Sequence, residues 1–173
     1  SDFLAEENDY IGAFANTVTG TEAMAQRFEA EDDLYKSILV KTLSDRLAEA
    51  TAEWLHWKVR KEFWGYAPDE NLSVEEMLKT RYKGIRPAVG YPSLPDQSII
   101  FELDKLLNYN KSGISLTENG AMYPNASVSG LYFAHPLSRY FMIGKIDENQ
   151  LADYARRKGK TTGEMRKWLA GNI

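Results

Sequence analysis

The chain has 173 residues, 43% hydrophobic and 27% charged, with no cysteine and a formal net charge of −4. This is the profile of one soluble domain; it excludes intrinsic disorder, a disulfide framework, an iron–sulfur cluster, a cysteine zinc site and a thiol nucleophile, and no apolar run approaches the ~18 residues of a membrane span. Charge is unevenly spread, with nine acids and one base in residues 1–35 against two acids and six bases in residues 151–173, which is too acidic overall for a dedicated nucleic-acid surface.

The opening Ser1-Asp2-Phe3-Leu4-Ala5-Glu6-Glu7 has neither the basic nor the apolar region of a secretory leader, and with the absent cysteines this suits a cytoplasmic protein. Residues 9–18 mix aromatic, β-branched and small side chains before Gly20 and predict a strand. Thr19-Gly20-Thr21-Glu22 has capping-box spacing, so a helix is expected to start there. Leu34, Ile38, Leu43, Leu47, Ala50, Trp54 and Trp57 recur at steps of three to five, predicting a long helix with that face buried, ended by Gly65 and Pro68.

Ser73-Val74-Glu75-Glu76 is a second capping box, predicting a short helix to about Tyr82, and residues 84–95 read as a Gly- and Pro-bearing loop. Asp96 is placed to cap a helix carrying Ile100, Leu103, Leu106 and Leu107 and stopping before Gly113. Residues 128–134 and 139–146 have strand character and are joined by His135-Pro136-Leu137-Ser138, which predicts an antiparallel hairpin. Asp147-Glu148-Asn149-Gln150 and Thr161-Thr162-Gly163-Glu164 predict two closing helices, the first ended by Gly159. With no repeat and no linker, residues 1–173 read as a single domain of α+β class, helices around a small antiparallel sheet with a β-hairpin.

The common nucleotide-binding, hydrolase and zincin signatures are absent, and His56 and His135 lie too far apart, without cysteines, to suggest a metal site. No catalytic constellation stands out. The segment Gly84-Ile85-Arg86-Pro87-Ala88-Val89-Gly90-Tyr91-Pro92-Ser93-Leu94-Pro95 does. Its three prolines push Arg86, Tyr91 and Leu94 out of the helical region, and Gly90 is free to take a positive φ. Such a stiff, extended loop leaves backbone N–H and C=O groups to read a flat heterocycle, Arg86 offers a planar fork to a carboxylate, and Tyr91 an aromatic face. A rigid connector between two helices is the competing reading. Glu49, with Asp45 and Glu53 one turn to either side, belongs either to a solvated acidic face or, turned to the loop, to an amine site. Tyr140 reads as a half-buried strand tyrosine.

Arg86-Pro87-Ala88-Val89-Gly90-Tyr91-Pro92 resembles the R-x-x-x-G-Y motif of the S-adenosylmethionine-binding activation domain of cobalamin-dependent methionine synthase. The resemblance extends in order through residues 9–15, Ala48-Glu49-Ala50, residues 60–68, Ala126-Ser127-Val128-Ser129-Gly130, Tyr132-Phe133, His135-Pro136 and residues 153–159. It implies a module that binds S-adenosylmethionine and serves repair. When cob(I)alamin, held by a neighbouring cobalamin-binding domain, is oxidised to cob(II)alamin, an electron from flavodoxin or a flavoprotein reductase and a methyl group from S-adenosylmethionine restore methylcobalamin. By position, Arg86 resembles the arginine that pairs with the ligand carboxylate, Ala88 and Tyr91 the backbone contacts to adenosine, and Gly90 the glycine that keeps the loop close. Glu49 resembles the acid near the amino group, and Tyr140 the tyrosine beside the ligand. A sulfonium methyl is already electrophilic and cob(I)alamin already nucleophilic, so positioning is what such a transfer asks of this chain.

Two departures bear on that expectation. Gln97 stands where the family usually has a histidine, and the family's domain is about twice as long, the difference lying N-terminal and including a further acid near the ligand. The chain is therefore expected to be either part of such a domain or a shortened homologue, and the alternative function is a non-catalytic docking or scaffolding module for a cobalamin-binding partner. Arg156, Arg157, Lys158 and Lys160 are read either as a docking face for an acidic electron-transfer partner or as a solvated helix end.

Overall fold

The computed structural model describes residues 3–173; Ser1 and Asp2, at the head of the stretch read above for a leader, lie outside the described residues. Strand β1 (Gly12–Thr17) leads into helices α1 (Thr21–Ala30) and α2 (Leu34–Lys58), the latter running on into a π-helical turn, Val59–Phe63. A short α3 (Val74–Leu78) and α4 (Ile99–Leu107) follow, then strands β2 (Ser115–Leu116), β3 (Met122–Tyr123) and β4 (Ser127–Tyr132), and helices α5 (Glu148–Lys158) and α6 (Thr162–Trp168) close the chain. The class is α+β, as expected.

β1 and β4 pair antiparallel, Gly12 opposite Tyr132 and Thr17 opposite Ser127. The two-residue alternation of a strand sends Phe14, Val128 and Tyr132 to one face, where they pack on Ala48 and Ala52 of α2. Ala13, Ala15 and Leu131 go to the other face and meet Ile100 and Leu103 of α4 with Tyr109 and Ile114. Ser129, on that second face, donates to the Phe14 carbonyl at 2.7 Å and shares a 2.5 Å hydrogen bond with the buried Tyr109 hydroxyl. A third cluster, Leu151, Ala155, Met165 and Leu169, holds α5 against α6.

The long helix differs from expectation in two ways. It is broken into α1 and α2 at Asp32, which has φ +60°, and Asp33 caps α2 by accepting from the Lys36 N–H. Its buried side is also not the one predicted: Ser37, Ser44, Ala48, Ala52 and His56 are buried, whereas Leu34, Ile38, Leu43, Leu47 and Trp54 are more than half exposed. Small residues let the α2 backbone approach the sheet, close enough for the Asn16 amide to donate to the Ala48 carbonyl at 2.9 Å.

The capping boxes at Ser73, Asp147 and Thr161 form, but the one at Thr19 does not, because Gly20 takes φ +85° to turn the chain from β1 into α1. α3 stops at Leu78 rather than near Tyr82. Asp96 binds the N–H and hydroxyl of Ser98 rather than standing as the residue adjoining α4. The hairpin predicted from residues 128–134 and 139–146 is absent: β4 pairs with β1, and residues 139–146 form no strand. They are tied instead by the Ile143 N–H to the Pro92 carbonyl at 3.3 Å and the Ile146 N–H to the Asn172 carbonyl at 2.7 Å. The hairpin the chain does make is the small β2–β3 pair.

Candidate functional site

Residues 85–89 lie as a short extended segment along the free side of β4. The Ile85 N–H donates to the Phe133 carbonyl at 2.9 Å, the Val89 N–H to the Ser129 carbonyl at 3.0 Å, and the Leu131 N–H to the Pro87 carbonyl at 3.1 Å. Gly130 makes this approach feasible, since a Cβ there would sit 2.2 Å from the Pro87 carbonyl oxygen and 2.8 Å from Ala88 Cα. Docked in this way, the loop directs Arg86 across to α2, where Glu49 and Glu53 stand one turn apart on the same side.

Arg86 Nη2 meets Glu53 Oε2 at 3.0 Å, and Nη1 lies 3.9 Å from Glu49 Oε2. The Arg86 N–H donates to the Tyr140 hydroxyl at 3.0 Å, which lies 3.3 Å from that of Tyr82. Tyr91 closes the other end, its hydroxyl donating to Glu49 Oε1 at 2.5 Å. The result is a cleft of about 300 Å³ lined by Glu49, Glu53, Met77, Leu78, Thr80, Tyr82, Arg86, Ala88, Tyr91 and Tyr140. A second cleft, also about 300 Å³, shares Glu49, Ala88 and Tyr91 as a wall and continues over Val89 and residues 125–129. Together they give the size of a small-molecule site.

Five of the six residues singled out in the sequence (Glu49, Arg86, Ala88, Tyr91 and Tyr140) thus line one cleft. Gly90 is absent from that lining and supports it, with φ +85° and a position where a Cβ would lie 2.5 Å from Gln97 Oε1. Tyr140 reaches the cleft from an irregular segment rather than from a strand. The loop's amides are less free than expected: besides Ile85 and Val89, the Gly90 N–H donates to the Leu94 carbonyl at 2.9 Å and the Tyr91 N–H to the Ala88 carbonyl at 3.2 Å. Ala88 faces Gly130 across a non-hydrogen-bonded position of the pairing, so its own N–H points away from β4 and makes no hydrogen bond among the described residues. Glu53 and Tyr82 are the residues that sequence reasoning did not assign. Glu53 was within reach of it, because residues at i and i+4 of a helix share a face.

Burial sets the protonation of this region. His56, fully buried beneath the cleft with its ring stacked 5.3 Å from Tyr132 and edge-on to Tyr82, is pulled down to about 2, by burial first and then by Arg60 and Arg86, so it is neutral. Burial pushes the Tyr82 and Tyr132 phenols well above their ordinary value. Tyr91 is pushed up to about 12, chiefly by its hydrogen bond to Glu49. These three phenols are therefore neutral; the acidic and basic side chains lining the first cleft are Arg86, Glu49 and Glu53, and Asp45 joins Glu49 in the second.

Elsewhere, Arg156 and Arg157 pair with Asp153, Lys158 with Asp96, and Lys160 with Glu164. These four basic residues are thus all ion-paired, with Asp153 shared by the two arginines. Among the described residues no group of three or more metal-ligating side chains is assembled, and no helix is long and apolar enough to cross a membrane.

The fold and the cleft define a small α+β module with a cleft whose lining sets one guanidinium between two acids. Residues 1–159 match the family model described as vitamin B12 dependent methionine synthase, activation domain, and the chain belongs to that family. A crystal structure of the MetH reactivation domain bound to AdoHcy superimposes with a TM-score of 0.90 at 51% identity, covering 95% of this chain and 51% of that one. The chain therefore spans about half the length of that solved relative.

Proposed function

We propose that the cleft between α2 and residues 86–91 binds S-adenosylmethionine and that the chain serves the reductive methylation of cobalamin. The observation that carries this reading is Arg86 held between Glu49 and Glu53 at 3.9 and 3.0 Å. Such a set of charges matches the amino-acid end of the ligand, the guanidinium taking the carboxylate and Glu49 the ammonium. Arg86 Nε and Glu53 Oε1 are buried without a hydrogen-bond partner, so the site holds polar capacity that its own residues leave unspent. The adjoining cleft over Ala88 and Val89 suits the nucleoside, with the Ala88 N–H available to it. The solved relative's AdoHcy, the demethylated form of the same ligand, supports this assignment.

The cobalamin, held by a neighbouring cobalamin-binding domain, supplies the nucleophilic cobalt that accepts the methyl group. The residues of this chain bind the donor, orient its sulfonium and hold Arg86 charged; they supply no acid or base, in keeping with neutral phenols and a neutral His56 at the site. In this reading an electron from flavodoxin or a flavoprotein reductase completes the repair, and the setting is the cytoplasm.

The test supplies this chain in trans to a cobalamin-binding domain with a reductant and follows label from methyl-labelled S-adenosylmethionine into cobalamin. Saturable transfer that is lost in Arg86→Ala is expected. No transfer from a folded chain at saturating ligand contradicts the reading and favours a docking role.

A further inference from the structure

Tyr140 reaches the cleft without the support that a strand would give it. Its segment, residues 139–146, is irregular and mostly exposed, and Tyr140 is the member of it that lines the cleft. The backbone ties to either side are from the Ser138 N–H to the His135 carbonyl at 3.0 Å and from the Ile143 N–H to the Pro92 carbonyl at 3.3 Å. Between them, residues 139–142 make no backbone hydrogen bond among the described residues. What holds Tyr140 is its hydroxyl, which accepts from the Arg86 N–H at 3.0 Å and lies 3.3 Å from the Tyr82 hydroxyl.

The two phenols so linked are held very differently. Tyr140 is 38% exposed, whereas Tyr82 is 8% exposed. The Tyr82 ring is clamped, with the Arg60 guanidinium 4.4 Å over its face and the His56 ring edge-on at 5.0 Å. Arg60 and His56 are themselves fully buried. Arg60 Nε donates to Glu70 Oε2 at 2.8 Å, and Glu70 Oε1 accepts from the backbone N–H of Lys83, the residue next to Tyr82, at 3.3 Å. A buried ion pair thus grips Tyr82 by its ring and by the adjoining backbone. Its hydroxyl has one hydrogen-bond partner among the described residues, and that partner is Tyr140. A half-exposed tyrosine on an unpaired segment loses rotamer freedom when a ligand orders it. A hydroxyl link to an immobile ring removes that cost in advance.

We propose that Tyr82 is a positioning residue of the cleft. It acts through Tyr140, holding that hydroxyl where it meets the Arg86 N–H and the ligand, and the Arg60–Glu70 pair with His56 is its mount. The inference rests on the proposal that this cleft binds S-adenosylmethionine. Its signature is a dependence of binding on the Tyr82 hydroxyl that vanishes once the Tyr140 hydroxyl is gone.

The experiment is calorimetric titration with S-adenosylmethionine of the chain, Tyr82→Phe, Tyr140→Phe, the double variant and Tyr66→Phe. It is joined by hydrogen exchange of the Arg86 N–H, followed by NMR without ligand. Phenylalanine keeps the ring between Arg60 and His56, so the fold is retained. Tyr82→Phe weakens binding by about two- to tenfold, the range spanned by one hydrogen bond of modest net strength. Tyr140→Phe weakens it at least as much, and the double variant no further than Tyr140→Phe alone. Tyr66→Phe removes another hydroxyl of the same cluster, one that lies 3.1 Å from His56 Nε2, and leaves the affinity unchanged. Without ligand, the Arg86 N–H loses protection in Tyr140→Phe and exchanges faster in Tyr82→Phe than in the wild type. Unchanged affinity in Tyr82→Phe, additive losses in the double variant, or an equal loss in Tyr66→Phe overturns the proposal. Failure of the wild type to bind refutes the reading of the cleft. The exchange measurement needs no ligand, and an Arg86 N–H that is unaffected in Tyr82→Phe shows by itself that Tyr82 does not hold Tyr140.

Discussion

Lowering the pH from about 7 to about 4.5 should destabilise the chain through His56. The unfolded imidazole takes up a proton near its ordinary value of 6.5, whereas the folded one, buried beside Arg60 and Arg86, resists protonation down to about 2. Between those values the unfolded state binds one more proton, so stability falls as pH falls, by about 1.4 kcal/mol per pH unit. Over the two units below 6.5 this amounts to roughly 2–3 kcal/mol, a large share of the stability of an ordinary domain. Urea unfolding of wild type and His56→Gln at several pH values isolates the effect. The glutamine can keep a hydrogen bond to the Tyr66 hydroxyl, which lies 3.1 Å from His56 Nε2, and both proteins share the carboxylates that also titrate. The variant is less stable at neutral pH, having lost the ring stacking, but the gap closes as pH drops. A difference between the two that stays constant from pH 7 to 4.5 refutes the argument.

Three further outcomes are expected. Gly130→Ala should cost about 2 kcal/mol or more in urea unfolding and displace residues 86–91, because its Cβ would meet the Pro87 carbonyl oxygen at 2.2 Å. Tyr154→Phe, which leaves the buried Asp96 without the hydroxyl that donates to it at 2.6 Å, should cost about 1–2 kcal/mol in the same assay. On α2, Leu47→Lys should shift stability by less than about 0.5 kcal/mol whereas Ala48→Leu costs about 1–3 kcal/mol, since Leu47 is 56% exposed and Ala48 1%.

What the sequence disclosed divides by the range of the signal. Capping boxes at Ser73, Asp147 and Thr161 were legible because each is a closed exchange of hydrogen bonds over four residues, and nothing distant competes with it. At Thr19 something does compete: the reversal from β1 into α1 needs a positive φ, and Gly20 supplies it at the cap position. The α2 pattern was legible as a helix, but apolar spacing identifies a stripe without saying what covers it. The sheet is met by the small residues on the other side, Ala48 and Ala52. Residues 139–146 have the composition of a strand, yet the place beside β4 is already occupied by β1 on one side and residues 85–89 on the other.

The site was legible in its parts and not in its geometry. Pro87 and Gly90 announced a stiff loop, and the family resemblance pointed to Glu49, Ala88, Tyr91 and Tyr140. That Arg86 would turn to Glu53 depends on Gly130, 44 residues further on, admitting the loop against β4. No local pattern could reveal that, although the i+4 spacing of Glu49 and Glu53 showed that the two acids share a face.

The most direct test of the account is calorimetric titration of the chain with S-adenosylmethionine beside Arg86→Ala. Saturable binding by the wild type, lost or greatly weakened in a variant that remains folded, is the predicted result. No heat of binding from a folded wild type, or equal binding by Arg86→Ala, contradicts the assignment of the cleft.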